Sequence, residues 1–222
     1  MKFNIAFDGP SAAGKSTIAD LIAERLNYLH LDTGAMYRAV AYAAIKNDIA
    51  LNDEDAIVDL IDNMNLDMRI DGSVVLDGDD ISQEIRTDQI SMGASDVSKL
   101  QKCREALVAM QQKICKDGGY ILDGRDIGTV VLKDAPVKIF MVASPEARAQ
   151  RRYLQNIESG LEADYDKILD DIIKRDYQDT HREFSPLKKA DDAIEIDTSD
   201  MTIEEVVEKV LEIIFEKTGE KY

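Results

Sequence analysis

The chain has 222 residues, 45% of them hydrophobic, which is enough for one compact core with a small appended lobe. Its 44 Asp and Glu against 27 Lys and Arg leave a net charge of −17. That field repels long polyanions and argues against duplex DNA or RNA as a partner, while a small anion held by gathered arginines stays open. The opening "MKFNIAFDGP" has no apolar leader segment, and no later apolar run would span a bilayer. Cys103 and Cys115 form neither a CxxC pair nor a disulfide framework, so free thiols in a reducing, cytoplasmic setting are expected.

In chain order, Phe3–Asp8 (FNIAFD) reads as a buried strand. Gly9–Thr17 (GPSAAGKST) follows and matches G-x-x-x-x-G-K-[ST] ahead of a predicted helix from about Lys15 to Leu26. The spacing has a mechanism. Gly9 and Gly14 let the backbone wrap a phosphate with inward-pointing N–H groups, and the helix start adds its positive dipole end. Lys15 reaches the β- and γ-phosphates and the Ser16 hydroxyl ligates Mg²⁺. The run Gly9, Pro10, Ser11, Ala12, Ala13, Gly14, Lys15, Ser16 and Thr17 is therefore the candidate ATP-binding loop. Tyr28–Leu31 is a second short strand, with His30 expected to be a buried strand residue. A helix follows, with Thr33 as its expected N-cap.

Residues about 52–90 break the strand–helix rhythm, and alternation around Asp71-Gly72 signals a hairpin. Helix-like sequence returns from about Leu100 to Lys116. Tyr120–Asp123 (YILD) is a buried strand that runs into a loop with Asp123, Gly124, Arg125, Asp126 and Gly128. Asp123 reads equally as a carboxylate orienting Mg²⁺ waters and as a strand-ending turn residue. Val137–Ala143 is a further strand, after which Ser144 caps a helix with Pro145 in its first turn. Residues about 155–190 are dense in charge and poor in apolar anchors, and His181 reads as their surface. Ala193–Asp197 is the last strand. The final helix puts Ile203, Val206, Val207, Val210, Leu211 and Ile214 on one face, expected to pack on the core.

Strand–helix alternation of this kind gives a parallel α/β sheet of about five strands. The phosphate loop alone leaves function open, because GTPases, motor ATPases and small-molecule kinases share it. No Asn-Lys-x-Asp is present to select guanine. The arginines discriminate further. Of Arg38, Arg104, Arg125, Arg148, Arg151, Arg152, Arg175 and Arg182, several stand at strand ends or inside the charged insert, and open α/β sheets bind ligands at their strand ends. A kinase for a phosphorylated acceptor needs such planar forks to hold two polyphosphates together.

In this order, "FDGPSAAGKST", "LDTGAMYR", "SQEIRT", "DGRDIGTVVLKDAPVKIF" and "ASPEARAQRR" resemble the bacterial cytidylate kinase family, one of the nucleoside monophosphate kinases, over nearly the whole chain. The resemblance implies an α/β, three-layer P-loop fold with a five-stranded parallel sheet, an acceptor-binding insert and a lid. It implies a discontinuous core (about 1–32, 100–150 and 190–222), an acceptor-binding region (about 33–99) and a lid (about 151–189). Arg38 and Arg125 would hold the acceptor phosphate, with Thr33 at a position where serine is also common. Ser95, Arg104 and Asp126 would surround the cytosine, and Asp126 would accept from its N4 amino group. Arg175, Asp179 and Arg182 would close over the sugar and phosphates, and Arg148 and Arg152 would begin the lid on the donor side. Gln178 and Thr180 depart from the family's arginine-rich lid pattern.

The implied activity is transfer of the ATP γ-phosphoryl group to CMP or dCMP with Mg²⁺, by a monomer that takes small-molecule nucleotides and neither nucleic acid nor membrane. A phosphate monoester acceptor is already a nucleophile near neutral pH, so no general base is required. The competing readings are a UMP or AMP kinase and a P-loop regulator that transfers nothing.

Overall fold

The structure is a computed structural model that describes residues 2–69, 72–160 and 162–220. Strand β1 (Ile5–Asp8) is buried along its whole length and leads through the phosphate loop into helix α1 (Lys15–Leu26). Strand β2 (Leu29–Asp32) leads directly into α2 (Thr33–Lys46). An insert then supplies α3 (Glu54–Asn63), the short strands β3 (Leu66–Met68), β4 (Val74–Leu76) and β5 (Asp79–Asp80), and α4 (Asp88–Val97). The chain returns through α5 (Gln101–Ile114), β6 (Tyr120–Gly124), a five-residue π-helical turn at Ile127–Val131 and β7 (Val137–Val142). It ends with α6 (Pro145–Glu158), α7 (Tyr165–His181), β8 (Ile194–Asp197) and α8 (Ile203–Thr218).

The main sheet is parallel throughout and ordered β2-β6-β1-β7-β8, which matches the expected α/β class and strand number. One face packs on α1 and α8 through residues such as Ile18, Ile22, Val207, Val210 and Ile214. The other face packs on α2, α4 and α5 through Met36, Val40, Val97 and Leu107. The continuous apolar runs of β1 and β6 follow from this: a parallel strand covered on both faces has no polar side.

The register positions the site. Asp8 at the end of β1 lies level with Gly124 of β6, and Asp32 at the end of β2 lies level with Asp123. Three loops distant in sequence therefore leave the sheet side by side at its C-terminal edge.

Several expectations change in detail. The N-cap of α2 is Asp32, whose Oδ1 accepts from Ala35 N at 2.9 Å; Thr33 is already helical. A carboxylate outcompetes the neighbouring hydroxyl for this place, and Thr33 turns its Oγ1 to donate to Asp123 O at 2.7 Å instead. Ile203 does not pack with the rest of its helix face but is 49% exposed, because it is the first residue of α8; Ile213 is buried instead. The hairpin exists as antiparallel β3 and β4, joined by β5 into a separate three-stranded sheet. Its tip residue Asp71 lies outside the described residues, as do Met1, Ile70, Leu161, Lys221 and Tyr222. The charged insert is better anchored than its composition suggests, since α6 and α7 pack on each other with Ile172 and Leu187 buried.

Candidate active site

The phosphate loop is shaped by backbone that only some residues tolerate. Gly9 has φ 147, and a Cβ there would stand 2.0 Å from the carbonyl oxygen of Met141 on β7. Gly14 begins α1 in the left-handed region at φ 91, and Ala12 is held there too, at φ 58. A non-glycine residue in that region is strained, and such strain collects at ligand sites. Lys15 is buried and donates to Pro10 O at 2.7 Å. Burial, with the Arg125 guanidinium beside it, pulls Lys15 down to about 7. Nearby phosphate charge would reverse that pull.

Ser16 Oγ donates to Asp123 Oδ2 at 2.9 Å. The other carboxylate oxygen of Asp123 faces His30 Nε2 at 2.9 Å, and His30 Nδ1 faces Asp20 at 2.6 Å. Burial opposes a charged ring, but the hydrogen bonds to Asp123 and Asp20 outweigh it and carry His30 up to about 10. His30 is thus more than a buried strand residue: it is an imidazolium between two carboxylates. Ser16 and Asp123 offer hard oxygen donors beside the loop. That sparse set fits Mg²⁺, which usually takes one or two protein oxygens and leaves the rest to phosphate and water. Among the described residues no cluster of three or more His, Cys, Asp or Glu offers a denser cage.

Facing the loop is a gathering of arginines. Asp32 caps α2 with one oxygen and takes Arg38 Nη2 on the other at 2.7 Å. Arg125 Nε donates to Asp179 of α7 at 2.8 Å. Arg104 is buried against the Tyr37 ring, donates to Ser98 O at 3.1 Å and pairs with Asp126, which also faces Arg182 at 3.9 Å. Ser95 on α4 donates to Gln178 of α7 at 3.2 Å. Burial, and the Arg125 charge next to it, pull Arg175 down to about 10. Four buried guanidinium nitrogens, Arg38 Nε, Arg104 Nε, Arg175 Nε and Arg182 Nη2, find no hydrogen-bond partner in the protein among the described residues.

The structure sorts the remaining arginines. Arg148 donates to Ala143 O, Ser11 O and Asp176, and Arg151 reaches Thr198 and Ala13 O, so both brace the donor side. Arg152, one turn on, feels Asp88, Arg38 and Arg86, which places it toward the acceptor region. Two structural carboxylates were not singled out in the sequence. Asp8 takes the N–H groups of Ile127 and Gly128, each at 2.7 Å, and so fixes the loop that carries Arg125 and Asp126. Burial raises it to about 6. A carboxylate closing a fully apolar strand directly before the loop was its signal. Asp32 carried a similar one in "LDTGA".

A model of the family described as cytidylate kinase matches residues 5–216. A cytidylate kinase of Caldicellulosiruptor saccharolyticus is 50% identical over 221 residues, covering 98% of each chain. That of Bacillus subtilis is 46% identical over 220 residues, again covering 98% of each. A solved structure of an uncharacterized Eubacterium ventriosum protein shares the fold with TM-score 0.52 at 13% identity, covering 96% of this chain and 98% of that one.

Proposed function

The chain belongs to the cytidylate kinase family, and we propose that it transfers the γ-phosphoryl group of ATP to CMP or dCMP, giving ADP and CDP or dCDP. It is a nucleoside monophosphate kinase, a phosphotransferase with a phosphate group as acceptor. The observation that carries the reading is the set of buried guanidinium nitrogens that, among the described residues, lack a hydrogen-bond partner, together with a complete phosphate loop. Buried donors of this kind cost free energy until an acceptor reaches them, and two nucleotides bring a dense group of phosphate oxygens.

In this reading Lys15 and the loop from Gly9 to Thr17 hold the ATP phosphates, and Ser16 with Asp123 hold Mg²⁺. When bound, Mg²⁺ would supply neutralisation of the phosphates' negative charge. Arg38 and Arg125 hold the acceptor phosphate, with Thr33 and Asp32 fixing the start of α2. Asp126 and Ser95 read the base, and Arg104 holds the Asp126 carboxylate in place by pairing with it. Arg175 and Asp179 of α7 and Arg182 at its C-cap close over the sugar and phosphates. The acceptor's second pKa of about 6 leaves it dianionic near neutral pH, so its own oxygen attacks and no base is needed. Catalysis is then positioning plus charge stabilisation in a site from which α6 and α7 exclude water.

The acceptor region (33–99) and the lid (151–189) move against a fixed core, and the protein works as a cytoplasmic monomer. Among the described residues no helix is long and apolar enough to cross a membrane. A coupled assay with ATP and Mg²⁺ tests the reading, presenting CMP, dCMP, UMP and AMP separately. Rapid ADP formation with the cytidine nucleotides, at least about tenfold faster than with UMP or AMP, is expected. Preference for UMP or AMP, or no acceptor-dependent ADP, would overturn it.

A further inference from the structure

One carboxylate on the lid helix is held by an arginine of α6. Asp176 follows Arg175 on α7, and its Oδ1 accepts from Arg148 Nη1 at 2.9 Å while its Oδ2 takes Nη2. The same guanidinium donates from Nε to Ala143 O at the end of β7 at 2.9 Å, and from Nη1 to Ser11 O in the phosphate loop at 3.3 Å. A guanidinium has five N–H donors, and four of Arg148's are spent on protein acceptors. The Arg148 side chain is 3% exposed. A two-pronged pair fixes orientation as well as distance. Arg148 is therefore a brace joining three places: the end of β7, the phosphate loop and the lid. Of these, only the lid contact depends on where α7 lies.

The consequence falls on Arg175. Its Nε is buried without a hydrogen-bond partner among the described residues, and the charges it feels are those of Arg125, Asp179, Arg38 and Arg152. A helix is stiff over one residue, so anchoring Asp176 decides where Arg175 stands relative to the phosphate loop. We propose that Asp176 is a positioning residue for phosphoryl transfer, tying the lid to the phosphate loop through Arg148 and so placing Arg175 between donor and acceptor. The proposal rests on the kinase reading above. The contrary arrangement is that Asp176 only occupies Arg148 until an ATP phosphate displaces it.

The two arrangements predict opposite results for Asp176→Asn in the full chain. As a positioning residue, Asp176→Asn lowers kcat about ten- to a hundredfold, the worth of a charge-assisted hydrogen bond, and leaves both KM values within about threefold. Amide exchange across residues 162–181, measured with CMP and a non-hydrolysable ATP analogue together, becomes faster than in the unaltered protein. Asp176→Glu, which keeps the charge, recovers most of kcat. Tighter ATP-analogue binding with kcat unchanged would overturn the proposal, as would exchange and kcat both at the level of the unaltered protein. Should Asp176→Asn lower the melting temperature by many degrees, Arg148→Lys replaces it, keeping the charge and losing the fork, with the same expectations. Failure of the kinase reading shows differently, as an unaltered protein that forms no CMP-dependent ADP.

Discussion

The proposed donor and acceptor sides of this site are built by different means. The donor side is nine consecutive residues whose backbone does the holding, and its Lys15 and Ser16 side chains already have partners in Pro10 O and Asp123. The proposed acceptor side takes Arg38 from α2, Ser95 from α4, Arg104 from α5, Arg125 and Asp126 from the loop after β6, Arg175 and Asp179 from α7, and Arg182 from that helix's C-cap. Among the described residues it leaves four buried guanidinium nitrogens without a hydrogen-bond partner in the protein. A cradle of N–H dipoles can be complete before its ligand arrives, because local geometry fixes it. A grip made of like charges cannot, because crowding and desolvation oppose it until an anion enters. The depression of Arg175 to about 10, by burial and then by Arg125, is that opposition.

The sharpest way to break the comparison is Lys15→Ala. Removing the one charged side chain of the donor cradle should lower kcat about a thousandfold with the melting temperature nearly unchanged. Near-normal turnover in a folded variant would mean the loop holds no transferring phosphate. On the acceptor side Arg182→Ala should cost roughly a hundredfold in kcat and leave ATP-analogue affinity little altered, as isothermal titration would read. It should also remove most of the exchange protection that CMP and an ATP analogue together confer on residues 162–181. Equal exchange with and without ligands would make the lid a fixed surface element.

A smaller change tests what the acceptor side reads. Asp126→Asn should shrink the CMP-to-UMP ratio of kcat/KM about tenfold, since an amide can also donate to uracil O4. An unchanged ratio would remove Asp126 from base recognition. Smallest is the pH effect of Asp8, which joins the two sides. Burial lifts its folded pKa from 3.8 to about 6, so between those values the folded state holds more protons than the unfolded one. The ionised carboxylate therefore costs stability that appears as pH rises through this window and stays constant above it. Asp8→Asn removes that dependence. Relative to the variant, the unaltered protein should gain melting temperature on going from about pH 7.5 to about pH 5.5. A pH-independent difference would place the Asp8 pKa near its ordinary value.

Local chemistry made much of this protein legible from its residues. The apolar runs of β1, β6 and β7 can only be strands covered on both faces. The loop at Gly9–Thr17 declares itself, because backbone curvature there is a property of neighbouring residues. Ser144 with Pro145 announced α6 for the same reason, and Ser144 Oγ does accept from Ala147 N at 3.1 Å. The resemblance of "DGRD" and "ASPEARAQRR" to cytidylate kinases named the family. Tertiary structure alone decided which partners those residues met. It chose Asp32 over Thr33 as the cap, because the β2–β6 register brings Asp123 O within reach of the Thr33 hydroxyl. It charged His30 by setting Asp20 of α1 and Asp123 of β6 on opposite sides of one ring. It gave Arg148 the carbonyl oxygens of Ala143 and Ser11 and the carboxylate of Asp176, and set Arg152 within reach of the charges of Asp88, Arg38 and Arg86. Sequence patterns carry hydrophobic period and backbone conformation, which are set over a few neighbours. The partner of a long charged side chain is set by which distant segments the sheet brings to one edge, and no local window contains that.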